Sequence, residues 1–225
     1  MANKTKVIFV LSARTAFETV SPAASEADDP NIEFNIGVEI AETFTDNVFL
    51  TYNFKRSDFV TTVSPWLTCS YGTQDFKLDL NANAEISRYS SFASENTEDY
   101  QIGMDARYRM ENGIFVFGGI DHAWEHEDRT SPDDVNGLGP TQLREATGYF
   151  GVGGNQNGRS FRLGVNVRNL DFDDTPAAGG LTVNNDDRDR RDVEIGGRFG
   201  LQKTATGEIF LQGIYEQRDY DTAID

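Results

Sequence analysis

The chain is poor in the residues on which most catalytic and helical proteins depend. A single cysteine, Cys69, excludes an internal disulfide and a multi-thiolate metal site, and the two histidines, His122 and His126, leave little material for imidazole chemistry. Positive charge is also scarce, with 20 Lys and Arg against 37 Asp and Glu and a formal net charge of -17. A phosphate-binding surface needs clustered cations, so this balance argues against a nucleic-acid partner. No stretch approaches the roughly 20 consecutive apolar residues that a membrane-spanning helix requires. A mean hydropathy of -0.51 nevertheless leaves a membrane β-barrel open, because only every second residue of its strands faces lipid.

What the chain does have is alternation. In Asn31–Glu42, Ile32, Phe34, Ile36, Val38 and Ile40 fall on one side of a strand and Glu33, Asn35, Gly37 and Glu39 on the other. The same phase runs through Phe76–Ile86, where Phe76, Leu78, Leu80, Ala82 and Ala84 oppose Lys77, Asp79, Asn81, Asn83 and Glu85. One face of each strand suits oil and the other suits water. The pattern predicts nine strands, near 31–42, 58–71, 76–89, 99–111, 114–126, 144–155, 160–172, 190–202 and 208–219. Nothing resembling a linker divides residues 31–225, which read as one domain.

The connections alternate in length. GTQD, ENG, QNG and TATG read as hairpin turns, whereas the segments between the other strands are long, polar and mostly acidic, including the stretch from Asp128 to Leu143 and the loop NNDDRDRRD. Short turns at one end of a sheet and long loops at the other are the polarity of outer-membrane barrels. The predicted strands of about 12 residues are long for a soluble strand and match the roughly 9–11 that a tilted membrane strand needs, plus its ends. Aromatic residues near strand ends, Phe59, Tyr71, Tyr89, Tyr100, Tyr108, Trp124, Phe172, Tyr215 and Tyr220, suit interfacial girdles, although aromatics are ordinary strand formers as well. The period alone does not say which face is the inner one, so a soluble barrel with its apolar side inward stays open.

Residues 1–30 read as a leader or a degraded signal segment. Lys4 and Lys6 precede a short apolar run from Val7 to Leu11, and small residues occur later at Ala23, Ala24 and Ala27, but the run is about half the length of a working signal and Arg14 puts a charge just beyond it.

The stretch AETFTDNVF followed by SDFVTTVSPWL, the strand end NLDFDD, the loop NNDDRDRRD and the ending QRDYD resemble outer-membrane β-barrel porins associated with exopolysaccharide or capsule production. The resemblance runs over most of 31–221. It implies a bacterial, Gram-negative outer-membrane location and a transport role, and it brings no catalytic residues. The departures are the weak leader and the end at DTAID, where such barrels are expected to finish on a terminal aromatic. Nine is also an odd number, whereas bacterial single-chain barrels have even strand counts. The expectation is therefore an antiparallel up-and-down transmembrane β-barrel, incomplete and contributing about nine strands of a larger one, with a closed eight-stranded barrel as the alternative.

No catalytic constellation stands out. His122 and His126 are four residues apart on a strand, roughly 13 Å at the usual rise, too far to share a metal without a sharp bend. Ser131 follows HEDRT without further sign of a triad. DRTSPDD lacks the ligand spacing and the glycine of a calcium hand, and solvated, flexible loops are expected there. Neither enzymatic activity, nor a metal, nor a cofactor is expected. The glycines within strands, among them Gly118, Gly119, Gly151, Gly153, Gly154, Gly196 and Gly197, suit barrel curvature and close packing.

Candidate pore-lining residues are Arg107, Arg109, Arg162, Arg168 and Arg198, with Asp79, Glu85, Asp105 and Glu194 facing them. Opposed charges set a field that selects polar or charged solutes, or they pair and plug a narrow lumen. The expected partners are outer-membrane lipid, lipopolysaccharide, and polysaccharide or small polar solutes. The expected function is passive passage of polar solutes or saccharides. The alternatives are a non-conducting structural or surface-interaction barrel and a soluble β-barrel binding protein.

Overall fold

An alternating segment satisfies its backbone only by pairing with neighbours, so successive alternating segments joined by turns assemble into an antiparallel ladder. The computed structural model describes residues 4–17, 30–131, 137–156, 158–203 and 208–221, with the backbone alone for 4–17, 202–203 and 208. The strands are β1 (Lys4–Phe17), β2 (Asn31–Thr45), β3 (Asp58–Gly72), β4 (Phe76–Tyr89), β5 (Thr97–Arg109), β6 (Ile114–His126), β7 (Gln142–Gln156), β8 (Arg159–Phe172), β9 (Thr175–Ala177), β10 (Leu181–Val183), β11 (Arg190–Lys203) and β12 (Glu208–Tyr220). Ten of them form one sheet in the order β1-β2-β3-β4-β5-β6-β7-β8-β11-β12, every neighbour antiparallel.

All nine expected strands form, as β2 to β8, β11 and β12, and each pairs with the next in sequence. This is the up-and-down order of a β-barrel, with the sheet open between β1 and β12 among the described residues. Three strands were not expected. β1 lies within the segment read as a leader and runs against β2 from Lys4↔Thr45 to Phe17↔Ile32. β9 and β10 form a small separate hairpin inside the last long loop. The expected turn at 204–207, the small residues Ala23, Ala24 and Ala27, and the end of the chain at 222–225 lie outside the described residues.

Tight turns gather at one end of the sheet. Gly113 and Gly158 close the β5–β6 and β7–β8 turns at φ of 78° and 74°, a backbone region that glycine enters without a Cβ penalty. The long loops, at 46–57, 90–96, 127–141 and 173–189, gather at the other end. Pro65 sits inside β3, where it offers no N–H. The ladder to β4 is interrupted beside it, between Val63↔Ile86 and Trp66↔Asn83, while the ladder to β2 continues through Val38↔Pro65.

The register decides which side chains share a face, because directly opposed residues of an antiparallel pair project to the same side. One face carries Ile36, Ile102, Ile120, Phe150, Ile195 and Phe199, all exposed. The buried strand residues Ala41, Val60, Ala123, Leu170 and Phe172 lie instead on the opposite, polar face, toward the long loops. The apolar residues that are buried therefore lie on the polar side near the loops, and the apolar side is left uncovered, the reverse of a water-soluble barrel.

Candidate functional site on the polar face

Arg107, Arg109, Arg162, Arg168, Arg198, Asp79, Glu85, Asp105 and Glu194 all fall on the polar face by register. Their neighbours differ from simple opposition of charge. Arg107 stands across from Lys77, Arg162 from Arg198, Asp79 from Asp105, and Glu85 from Asp99. Charge is thus sorted along the strands into like-signed cross-strand rows. A basic row lies nearest the tight turns, and an acidic row of Asp79, Asp105, Glu194 and Glu216 comes next. Above it, Arg168 pairs with Glu145, and Arg218 pairs with Asp192 at 3.0 Å.

Like charges placed directly opposite repel, so each row needs compensation. Asp79 receives Lys77 Nζ at 2.7 Å and the Ser70 hydroxyl at 2.6 Å. Asp105 accepts the Tyr149 hydroxyl. The arginines are held differently: the guanidinium of Arg107 lies 4.0 Å from the centre of the Phe115 ring, Arg162 4.3 Å from Phe117, and Arg198 3.8 Å from Phe210. Those rings are themselves seated on glycines. A Cβ at Gly151 would strike Phe117, and one at Gly153 would strike Phe115. Between these groups opens a cavity of about 320 Å³ lined by Lys77, Asp79, Asp105, Arg107, Tyr149 and Arg162 over the two phenylalanines. A second cavity of about 340 Å³ reaches from Arg162 and Tyr149 to Glu194, Arg198 and Gln212.

Where the loop end is described, several of its charges are buried in ion pairs and not solvated, and residues 132–136 lie outside the described residues. Glu95 is 2% exposed and receives Arg129 in a two-pronged bond at 2.9 Å and 2.9 Å. Glu127 receives Arg188 in the same way at 3.0 Å and 2.8 Å, and Arg188 also lies over Phe172. Asn185, fully buried, donates to the Asp173 carbonyl and to Thr175, and Thr175 bonds Thr141. Three of the four long loops are thereby tied into one another across the rim. Burial raises the Asp189 carboxyl above its ordinary range, the N–H of Phe172 donated to it opposes the shift, and Asp171, Asp186 and Asp221 add to it.

The two histidines have different partners: His126 Nδ1 meets the Asp99 carboxylate at 2.8 Å, and His122 packs edge-on against Trp124. Among the described residues no cluster of three or more His, Cys, Asp or Glu is placed to hold a metal. Of the strand-end aromatics, Phe59, Tyr71, Tyr100, Tyr108, Trp124 and Tyr215 are on the apolar face, whereas Tyr89, Phe172 and Tyr220 are on the polar one. The stacking phenylalanines Phe115, Phe117 and Phe210 were not singled out from the sequence. Their signal was an aromatic at a strand position whose parity called for a polar residue.

Residues 34–225, most of the chain, match the model of the family described as Putative beta-barrel porin 2. No curated protein and no solved structure matches the chain.

Proposed function

The chain belongs to the family described as putative β-barrel porin 2, and from that premise we propose that it is an outer-membrane barrel through which polar solutes, saccharides among them, diffuse passively. The observation that carries this reading is the inverted distribution of the sheet. Large apolar side chains are exposed along one face, and charged rows fill the other. Exposed apolar residues on adjacent strands need an apolar solvent, and a charged inner face needs a wet one. Lipid outside and a hydrated lumen inside meet both needs. Selection then comes from the sequence of fields along the lumen, acidic at the loop rim and basic near the turns. An association with exopolysaccharide, and contact of the acidic loops with lipopolysaccharide, belong to the same proposal.

The test is single-channel recording from refolded chain, after its gel migration has been compared with and without boiling. A heat-dependent shift with discrete conductance is expected. Replacing Arg107 and Arg109 by Ala removes positive charge from the turn end and should move the reversal potential toward cation preference. Unchanged reversal potentials would sink the assignment of these residues to the lumen.

A second reading, a non-conducting barrel that binds surface polymer, is favoured by the Glu95–Arg129 and Glu127–Arg188 pairs tying loops together at the rim. A folded barrel without conductance but with loop-dependent lipopolysaccharide binding would select it. Partition of folded chain into water without detergent would select a soluble binding protein instead.

A further inference from the structure

We propose that the cavity between Arg107 and Arg162 is an oxyanion subsite for solutes carrying a carboxylate or a phosphate. The inference rests on the reading of the polar face as a solute pathway and goes beyond it by naming what that pathway holds. Among the described residues the arginines divide into those held by a carboxylate and those that are not. Arg88, Arg144, Arg168 and Arg218 each pair with Asp or Glu. Arg107 and Arg162, like Arg56, Arg109, Arg159 and Arg191, make no ion pair among the described residues, although Asp79 and Asp105 line the same cavity.

Those acids are already engaged. Asp79 is neutralised by Lys77 and bonded by Ser70, and Asp105 holds the Tyr149 hydroxyl. The two guanidinium groups lie over Phe115 and Phe117, 4.0 and 4.3 Å from the ring centres. A cation held over a ring face keeps its N–H donors, and planar guanidinium forks match the oxygens of carboxylate and phosphate in paired bonds. The cavity they border, about 320 Å³, falls in the size range of small-ligand sites. Glycines 151 and 153 make room for the rings on which the arginines rest, so the arrangement is built into the backbone of β7. Asp79 and Asp105 line the cavity together with Lys77, Arg107 and Arg162, which leaves one positive charge in excess there and favours one bound oxyanion at a time.

The experiment is calorimetric titration of the full, refolded chain in detergent with galacturonate, inorganic phosphate and galactose. Single-channel recording is run in parallel on the same preparations. Galacturonate, phosphate or both are expected to bind, and galactose is not. Binding of galacturonate alone would assign the site to acidic sugars, and binding of phosphate to phosphorylated solutes. The double variant Arg107→Gln/Arg162→Gln should weaken binding by about tenfold or more, since it removes both charged donors. Arg107→Lys/Arg162→Lys, which keeps the charge and loses the fork, should fall between the two. A retained heat-dependent gel shift certifies that each variant folds. Binding of neither anion, equal binding of galactose, or affinity unchanged in the Gln variant would overturn the subsite. Conductance without anion binding would overturn the subsite and leave the pore, whereas anion binding without conductance would overturn the pore and leave the subsite.

Discussion

Among the described residues, six aromatic side chains of the sheet lie against the glycine directly opposite them on the next strand: Trp66 on Gly37, Phe150 on Gly118, Tyr149 on Gly119, Phe117 on Gly151, Phe115 on Gly153 and Phe161 on Gly154. A glycine in a strand normally weakens it, because it has no side chain to pack and loses more backbone entropy on ordering. A ring laid across the gap restores the missing contact and covers the backbone. Phe115 and Phe117 also carry Arg107 and Arg162 over their rings, so glycine, ring and guanidinium stand in contact in turn. Gly151→Ala should break that series. Its Cβ would strike Phe117 and come within 2.6 Å of the Leu163 carbonyl oxygen, which belongs to the backbone and cannot swing away. A loss of about 1–3 kcal/mol is expected, the usual cost of overpacking. Gly196→Ala is the contrast, because an added Cβ there meets nothing within 4 Å, and a change within about 0.5 kcal/mol is expected. Urea-unfolding midpoints of the two variants in liposomes would check this, and equal midpoints would remove this account.

At the scale of elements, the loops illustrate what a linear reading cannot reach. Arg129 and Glu95 are 34 residues apart, and Arg188 and Glu127 are 61 apart, so neither pair leaves a mark in local composition. Both loops read as solvated because their charges were counted one segment at a time, whereas burial depends on which segments meet. Arg129→Ala would leave Glu95 buried without its counter-charge, a change that costs about 3–5 kcal/mol. The expected result is protease nicking within 90–96 or 127–131 in the variant but not in the parent, and loops equally resistant in both would show that the pair does not hold them. The strands, by contrast, were legible because alternation is a local property with a fixed period. Their face assignment was legible for the same reason, which is why all nine candidate lumen charges share one side. Their cross-strand partners were not. Parity places Asp79 and Asp105 on one face, but only the register brings them opposite each other. The β9–β10 hairpin escaped because three residues on each side are too few to display alternation, leaving only the Gly179–Gly180 pair as a turn signal.

For the whole molecule, the decisive question is what solvates the apolar face, and a single position puts it to the test. Ile120 occupies the centre of β6, is 61% exposed, and is flanked across the ladder by Met104 and Gly148. In water an exposed isoleucine is a neutral place for arginine, and a surface substitution there would stay within about 0.5 kcal/mol. In a bilayer the same position lies near the midplane, where arginine on the lipid face of a barrel costs about 2–4 kcal/mol. Ile120→Arg should therefore lower the urea midpoint of chain refolded into liposomes by an amount in the higher range. Asn83→Arg, near the centre of β4 on the polar face and across from Gln101, should leave it nearly unchanged, because the lumen hydrates the added charge. A large loss at Ile120 with none at Asn83 requires oil on one side of the sheet and water on the other. Losses of the reverse order would place the apolar face inward and return the chain to the soluble barrels.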